Sequence, residues 1–335
     1  MSDRIRRVLA YLIVCGALAG FAHGQAQQAA QPPGQSRAAK PDSAQAQADL
    51  EKAKSIAGTT WALEEHVICD LPTISPAADP GPQKLFDNLY AIPGTYSAAN
   101  GVIYLITTSA GILQIDTGSA KDIETIYLPG MKKLGLDPAD VKVIVIAHGH
   151  GDHFGGAPYM QEHYHPHIYM SAADWDYMQL VPPPAQGQAQ PNIPPKLDMF
   201  VNEGEPIVLG DEKLTPVFIP GHTPGSLGLI FPVKEAGKTH IVGIVGGGML
   251  PQGTPDQMGV FLHSLAHFEE WAKKMKVDVE LQNHPIMDGF ADKLAALRAR
   301  KPGDPNPFIV GQENYSKFLQ VMYTCVQVYV DRRLE

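Results

Sequence analysis

A short segment rich in metal-binding side chains carries the strongest chemical signal in this sequence. It reads Ala147-His148-Gly149-His150-Gly151-Asp152-His153-Phe154-Gly155-Gly156. The segment has three imidazoles and one carboxylate, and these are the ligands that zinc takes in proteins when no thiolate is offered. The interspersed glycines let the backbone turn sharply, so that neighbouring side chains can face different metal ions. The segment therefore predicts a metal site.

Two further histidines stand in short loops of similar character. They are His222 in Pro220-Gly221-His222-Thr223-Pro224-Gly225-Ser226 and His284 in Asn283-His284-Pro285. Each loop follows a segment with the composition of a β-strand. A lone histidine at a strand end is usually a surface or core residue, but the glycine and proline neighbours favour metal binding here. We expect both histidines to complete the metal site.

The elements that must position these loops are clusters of strands with helices between them. Strands are predicted at Leu85–Ile92, Val102–Thr107, Ile112–Ile115, Val141–Ala147, Ile207–Leu209, Leu214–Pro220, Leu227–Phe231, Ile241–Val245 and Val277–Leu281. Helices are predicted at 50–61, Asp122–Leu134, Leu262–Met275, Ala291–Arg300 and Gln312–Arg332. Strand clusters in each half of the chain, with helices between them, predict two sheets packed face to face and helices outside.

The order His-x-His-x-Asp-His, then Gly-His-Thr-Pro-Gly, then a histidine at a strand end resembles the metallo-β-lactamase superfamily. The similarity extends from about Lys84 to Gly289 and includes the segments 86–90 and 111–118. It implies an α+β fold, a four-layer αββα sandwich with the metals at one edge.

The resemblance also implies a role for each residue of the site. The first of two zinc ions would be bound by His148, His150 and His222. The second would be bound by Asp152, His153 and His284. Asp152 would also act in catalysis by orienting the attacking water. Asp116 would orient the ligand loops without binding metal.

The segment after the predicted strand Ile241–Val245 separates members of this superfamily. Glyoxalase II, RNase Z and several lactonases carry a metal-bridging aspartate there, and one β-lactamase pattern has a cysteine ligand. This chain has Gly246-Gly247-Gly248-Met249 instead. The remaining set of five histidines and one aspartate resembles the third subclass of metallo-β-lactamases. The glycine segment lacks the serine hydroxyls with which those enzymes bind the drug's carboxylate; only Ser226 remains nearby, and it is the candidate for a substrate contact.

The resemblance implies a zinc-dependent hydrolase that uses a metal-bound hydroxide to open a cyclic amide, as in β-lactam antibiotics. An alternative is a hydrolase of lactones or of other esters and amides with the same dizinc centre. A mononuclear iron persulfide dioxygenase is a weaker alternative, because those enzymes use the missing aspartate as an iron ligand.

The N-terminus predicts export. Residues 1–24 combine basic Arg4, Arg6 and Arg7 with an apolar run and the small residues of a cleavage site, as in a signal peptide. The run is short for a membrane span, although an uncleaved anchor or lipidation at Cys15 stays open. Residues 25–48 predict a flexible spacer rich in Gln, Ala and Pro, and 49–335 the catalytic domain. We expect a periplasmic or secreted protein.

The net charge limits the classes of binding partner, and the cysteine content indicates a possible disulfide. The net charge of −9 disfavours nucleic acid and anionic membranes as partners, which leaves a small-molecule substrate. Beyond the predicted signal peptide the chain has two cysteines, Cys69 and Cys325. In an oxidising compartment these could form a disulfide, or they could stay two separate thiols.

Overall fold

The computed structural model describes residues 42–70, 81–94, 101–180, 193–248 and 253–333. The predicted signal peptide and the first part of the predicted spacer lie outside these residues. Within the described residues, no helix combines the length and the apolar character needed to cross a membrane.

In the described part of the chain, seven strands form the first sheet, in the order in which they occur in the sequence. They are β1 (Gln83–Phe86), β2 (Leu89–Pro93), β3 (Val102–Thr108), β4 (Gly111–Ile115), β5 (Val141–Val145), β6 (His167–Met170) and β7 (Met199–Phe200). Strands β1 to β4 pair antiparallel, and β4 to β7 pair parallel. Because the carboxyl ends of parallel strands meet at one edge, Asp116 after β4 lies beside the metal-binding segment after β5.

The second sheet has five strands in the order β12-β11-β10-β9-β8. They are β8 (Ile207–Leu209), β9 (Glu212–Phe218), β10 (Leu227–Glu235), β11 (Lys238–Val245) and β12 (Val279–Gln282). Gly228 at the start of β10 pairs with Val245 at the end of β11, which runs parallel to β12. The loop with His222, between β9 and β10, therefore lies at the same edge as the loop with His284, after β12.

Most of the helices in the described part of the chain cover the outer faces of the two sheets. The helices are α1 (Ala44–Ala57), α2 (Ala62–Asp70), α3 (Leu128–Leu134), α4 (Gly151–Phe154), α5 (Ala157–His163), α6 (Ala172–Leu180), α7 (Pro255–Met275), α8 (Phe290–Ala299) and α9 (Gln312–Arg333). Short 3-10 turns at Ala120–Asp122 and Pro138–Asp140 and a π-helical turn at Ile123–Tyr127 complete the set.

Three buried apolar clusters define the layers. The cluster between the sheets takes side chains from both, such as Tyr104 of β3 and Leu229 of β10. A second cluster packs α1, α2, α7 and α9 against the five-stranded sheet, and a third packs α3, α5 and α6 against the seven-stranded sheet. This order of layers confirms the predicted α+β, αββα sandwich.

Two predicted elements are divided in the structure. The predicted strand Leu85–Ile92 is the hairpin β1–β2, because the chain reverses at Asp87 and Asn88, residue types that favour turns. The side chain of Asn88 bonds across to the second sheet, where it accepts the N–H of Lys234 at 2.8 Å. The predicted helix Asp122–Leu134 becomes the π-helical turn followed by α3, whose first turn contains proline.

The N-terminal helix begins earlier and ends sooner than predicted. Residues 44–48, placed in the flexible spacer, are the first turn of α1, because the Ser43 hydroxyl accepts the N–H of Ala46 and caps the helix. The helix ends at Gly58, which has a φ of 55°. Trp61 is a buried residue between α1 and α2, and its indole N–H donates to the carbonyl of Asn314 at 2.9 Å.

The two N-terminal helices are fastened to the last helix. Cys69 of α2 and Cys325 of α9 form a disulfide. The Arg332 guanidinium donates to the Asp42 carboxylate at 2.8 and 2.9 Å, and to the Cys69 carbonyl at 3.1 Å. The start and the end of the described chain are thereby joined both covalently and by an ion pair.

A buried group of charges lies beside the loop that leads from His284 into α8. Lys293 of α8 donates to Glu280 of β12. Glu64 of α2 and Asp288 are also buried here. Burial raises the pKa of Glu64 to about 7, although Lys293 opposes the shift. Burial likewise raises the pKa of Asp288 well above its ordinary value. One ammonium thus faces three carboxyl groups in the interior.

Replacing Glu64 by glutamine should stabilise the protein in alkaline but not in acidic solution. The folded-state pKa near 7 lies above the ordinary value of 4.5, so the free energy of unfolding falls as the pH rises from 4.5 to 7. Glu64→Gln removes this loss, which amounts to at most about 3 kcal/mol. Urea unfolding at pH 4.5 and pH 8 measures it, with exposed Glu124→Gln as control. An equal effect of Glu64→Gln at both pH values would contradict the assignment.

Candidate metal centre

The metal-binding segment leaves β5 at the sheet edge and turns directly into α4, which carries Asp152 and His153. The backbone N–H groups of His153 and Phe154 donate to the carbonyl of His150 at 3.0 and 3.1 Å. This compact turn holds the four polar side chains of the segment together at one edge.

His148, His150 and His222 bring three ring nitrogens to one point. Nε2 of His222 lies 3.2 Å from Nε2 of His148 and 3.0 Å from Nδ1 of His150. A single ring N–H cannot satisfy both neighbours, so hydrogen bonds alone do not explain the convergence. A tetrahedral zinc ion with Zn–N bonds of about 2.0–2.1 Å separates its ligand nitrogens by about 3.3 Å. The spacing of this first trio therefore fits zinc.

The remaining three predicted ligands form a second group beside the first. Nε2 of His153 lies 3.1 Å from Nε2 of His284. One carboxylate oxygen of Asp152 lies 3.4 Å from the former nitrogen and 3.9 Å from the latter. Ring nitrogens of His148, His153 and His284 are also within 4.8 Å of one another, so His148 borders both groups. The structure brings all six predicted ligands together.

Asp116 supports the second group through a buried carboxylate. One of its oxygens lies 2.7 Å from Nδ1 of His153, and the other accepts the N–H of Ala147 at 2.8 Å. A proton on Nδ1 of His153 leaves the lone pair of Nε2 directed at His284 and Asp152. Asp116 therefore links the orientation of His153 to the start of the metal-binding segment.

The electrostatics of the site favour neutral imidazoles around one charged pair. Burial lowers the pKa of His148 well below its usual range, and lowers that of His284 to about 3. Burial also opposes protonation of His153, but the carboxylates of Asp116 and Asp152 raise its pKa to about 10. Burial opposes ionisation of Asp152, yet His153 holds its pKa below the ordinary value. Neutral imidazoles and a carboxylate are the forms that bind metal, so His153 would give up its Nε2 proton on binding one.

Ser226 does not occupy the position that the sequence predicted for it. Its side chain is fully buried, its hydroxyl accepts the N–H of Thr223 at 3.0 Å, and it bonds the Thr223 hydroxyl at 2.7 Å. The hydroxyl thus closes the loop around His222 and has no exposed surface to offer a substrate. The prediction of a substrate contact is replaced by a structural role.

The glycines after β11 lie against the first trio. Gly247 has a φ of 119°, and a Cβ built on it would lie 2.7 Å from Cδ2 of His222. Such a contact is too short for any side chain at this place without displacement of His222. The glycine at this position therefore lets the backbone pass close to His222.

Sequence reasoning missed Asp174, a buried residue in the first turn of α6. Its carboxylate accepts hydrogen bonds from the N–H of Gly149 at 2.7 Å, the N–H of Gly225 at 2.8 Å and the hydroxyl of Thr223 at 2.6 Å. The available signal was the order Ser171-Ala-Ala-Asp174, typical of a helix start. Such a signal indicates a cap and says nothing about distant loops.

Comparisons with known proteins agree with this picture. Residues 97–235 match the family model described as Metallo-beta-lactamase superfamily. A subclass B3 metallo-β-lactamase of Bradyrhizobium japonicum superposes with a TM-score of 0.59 at 29% identity, over 72% of this chain and 90% of that chain. The hydroxyacylglutathione hydrolase GloC of Haemophilus influenzae is 34% identical over 111 residues, 32% of this chain and 52% of that protein. The N-acyl homoserine lactonase AttM of Agrobacterium fabrum is 30% identical over 152 residues, 36% of this chain and 56% of that protein.

The αββα sandwich carries its clustered histidines at the shared edge of the two sheets. The family match covers residues 97–235, less than half of the chain, and shows that this part is similar to the metallo-β-lactamase superfamily, whose fold the Bradyrhizobium enzyme shares. The subclass of the Bradyrhizobium enzyme agrees with the resemblance to the third subclass that the ligand pattern predicts. The chain matches only about half the length of the two curated relatives named above.

Proposed function

We propose that this protein is an exported dizinc hydrolase that opens the cyclic amide of β-lactams. The observation that carries the proposal is the convergence of five imidazoles and one carboxylate in two adjoining groups, with glycine where related hydrolases carry a bridging aspartate. The metallo-β-lactamase of Bradyrhizobium japonicum, matched over 90% of its length, also supports the proposal.

Different residues of the site would bind the zinc ions, orient the attacking water and hold a ligand in place. His148, His150 and His222 would hold one zinc ion, and Asp152, His153 and His284 the other. Zinc ions bound there would supply Lewis acidity and lower the pKa of a water molecule toward neutrality. The side chain of Asp152 is 22% exposed whereas that of His153 is fully buried. Asp152 can therefore accept a hydrogen bond from an attacking water and orient it, while Asp116 keeps His153 in place.

The disulfide between Cys69 and Cys325 supports export, because disulfides persist in oxidising compartments and are rare in the cytosol. The basic and apolar N-terminal residues of the sequence point the same way. β-Lactams act outside the cytoplasm, so an exported enzyme would meet this substrate class.

Hydrolysis of lactones or thioesters is the second candidate, since curated relatives include a lactonase and hydroxyacylglutathione hydrolases. The segment Gly246-Gly247-Gly248 argues against it, because it offers no carboxylate to bridge two metals, and a side chain at Gly247 would collide with His222. The same argument weighs against a mononuclear iron dioxygenase.

A substrate panel tests the proposal. The purified protein, loaded with zinc, is offered a chromogenic cephalosporin, an N-acyl homoserine lactone and an acyl-glutathione thioester. We expect cephalosporin hydrolysis that a chelator stops and zinc restores. Hydrolysis of the lactone or thioester alone, by protein that contains two zinc ions, would replace the β-lactam assignment with the second candidate.

A further inference from the structure

Helix α6 contacts both loops that carry the first trio, and Asp174 is the main point of contact. One carboxylate oxygen accepts the N–H of Gly149 at 2.7 Å and the hydroxyl of Thr223 at 2.6 Å, and the other accepts the N–H of Gly225 at 2.8 Å. Gly149 stands between His148 and His150, and Thr223 follows His222. Each of these two donors is thus adjacent in sequence to a ligand of the first trio.

The two loops are pressed against the start of α6 without space for side chains. A Cβ on Gly149 would lie 3.3 Å from Cγ of Asp174 and 3.0 Å from the ring of Tyr177. A Cβ on Gly225 would lie 1.9 Å from the hydroxyl oxygen of Ser171 and 2.7 Å from the backbone nitrogen of Asp174. The glycines of both motifs therefore allow α6 to approach the loops closely enough for these hydrogen bonds.

Tyr177, one turn after Asp174, adds a contact to a ligand side chain. Residues three apart on a helix share a face, and the Tyr177 hydroxyl lies 3.5 Å from Nε2 of His150. The other ring nitrogen of His150, Nδ1, faces His222. Helix α6 thus reaches the first trio through both the backbone and one imidazole.

We propose that Asp174 is a positioning residue for the first trio, as Asp116 is for the second group. Asp174 fixes the spacing of the loops that present His148, His150 and His222, and with it the metal affinity of that trio. This inference rests on the proposed metal centre but not on the β-lactam substrate. A carboxylate is needed, because three donors converge on it and an asparagine would turn an N–H toward at least one of them.

Metal binding in single-site variants tests the assignment. His284→Ala leaves the first trio intact, and His222→Ala leaves the second group intact. Zinc affinity is measured by competition with a chromophoric chelator, and ligand geometry by the visible spectrum after cobalt substitution. In the His284→Ala background, Asp174→Asn should weaken zinc binding about 10–100-fold, the usual effect of losing a partner outside the ligands, and change the cobalt spectrum. In the His222→Ala background we expect less than about a threefold change, because Asp174 does not bond to that group.

Controls separate positioning from general loss of structure. Asp278→Asn is matched, since Asp278 accepts the N–H of Ile241 and bonds His240 at the far end of the second sheet, and it should leave both affinities unchanged. If Asp174→Asn does not fold, Thr223→Val replaces it, with an expected loss of about 5–10-fold for one hydrogen bond, and Thr223→Ser should bind like the parent. Equal losses in both backgrounds, or no loss in either, would overturn the inference. Zinc binding as expected in a protein inactive on cephalosporins would refute only the substrate.

Discussion

The alanine variant of His150 should lose metal and activity together. Nδ1 of His150 lies 3.0 Å from Nε2 of His222, which lies 3.2 Å from Nε2 of His148, and two imidazoles alone bind zinc weakly. Losing a residue that merely supports a ligand lowers metal affinity or activity about 10–100-fold, so loss of a ligand should exceed about 100-fold in kcat/KM. Zinc content by atomic absorption and hydrolysis of the active substrate in the panel measure both effects.

The matched control is His267→Ala. His267 lies on α7, its side chain is 40% exposed, and it pairs with Glu203 away from the trio. This variant should keep full zinc content and activity. A His150→Ala variant with two zinc ions and undiminished turnover would contradict the proposed metal centre, whereas one with normal zinc but no turnover would restrict His150 to the reaction itself.

The metal-binding residues could be predicted from sequence because their signal is local. Glycine-spaced histidines within one loop need only a strand in front of them to reach a sheet edge, and β5 ends just before that loop. The parallel pairing of β4 with β5 likewise brings Asp116 beside the loop. Such placements follow from the rule that loops after parallel strands share one edge.

The residues that were missed or misplaced act over long distances or through burial. Asp174 lies at a helix start that resembles any other. Its partner Gly149 precedes it by 25 residues, and its partner Gly225 follows it by 51 residues. The hydroxyl of Ser226 could hydrogen-bond to a substrate, but it is hydrogen-bonded to the hydroxyl of Thr223 within the loop instead. Neither the depth of a side chain nor its partner can be read from a motif alone.

The ends of strands and helices could also be predicted where the signal is local, and not where it depends on distant contacts. Gly135, with a φ of 71°, ends α3 at the predicted residue because the left-handed conformation favours glycine there. The hairpin β1–β2 was predicted as one strand, since its apolar residues continue through the turn at Asp87 and Asn88. The turn depends on hydrogen bonds to β10 and Glu212 of the other sheet, which a local pattern does not contain.

Replacing both Cys69 and Cys325 by alanine should destabilise the protein more than any surface substitution. The disulfide closes a loop of 256 residues, and loss of a native disulfide costs about 2–5 kcal/mol, with longer loops at the upper end. For a protein of this size the melting temperature should fall by roughly 5–15 °C. Thermal unfolding followed by circular dichroism measures the shift.

Reduction provides the control for this variant, because both cysteines are fully buried and alanine also removes packing. A thiol reductant should lower the melting temperature of the wild-type protein toward that of the variant and leave the melting temperature of the variant unchanged.

The effect of the disulfide should extend to the metal site, since Met322, one turn from Cys325 on α9, would lie 3.1 Å from a Cβ built on Gly248. A helix loosened there gives the glycines behind His222 more freedom, so zinc should dissociate from the reduced protein at a lower temperature. If reduction leaves both melting and zinc release unchanged, the disulfide does not stabilise the contact between α9 and the metal centre.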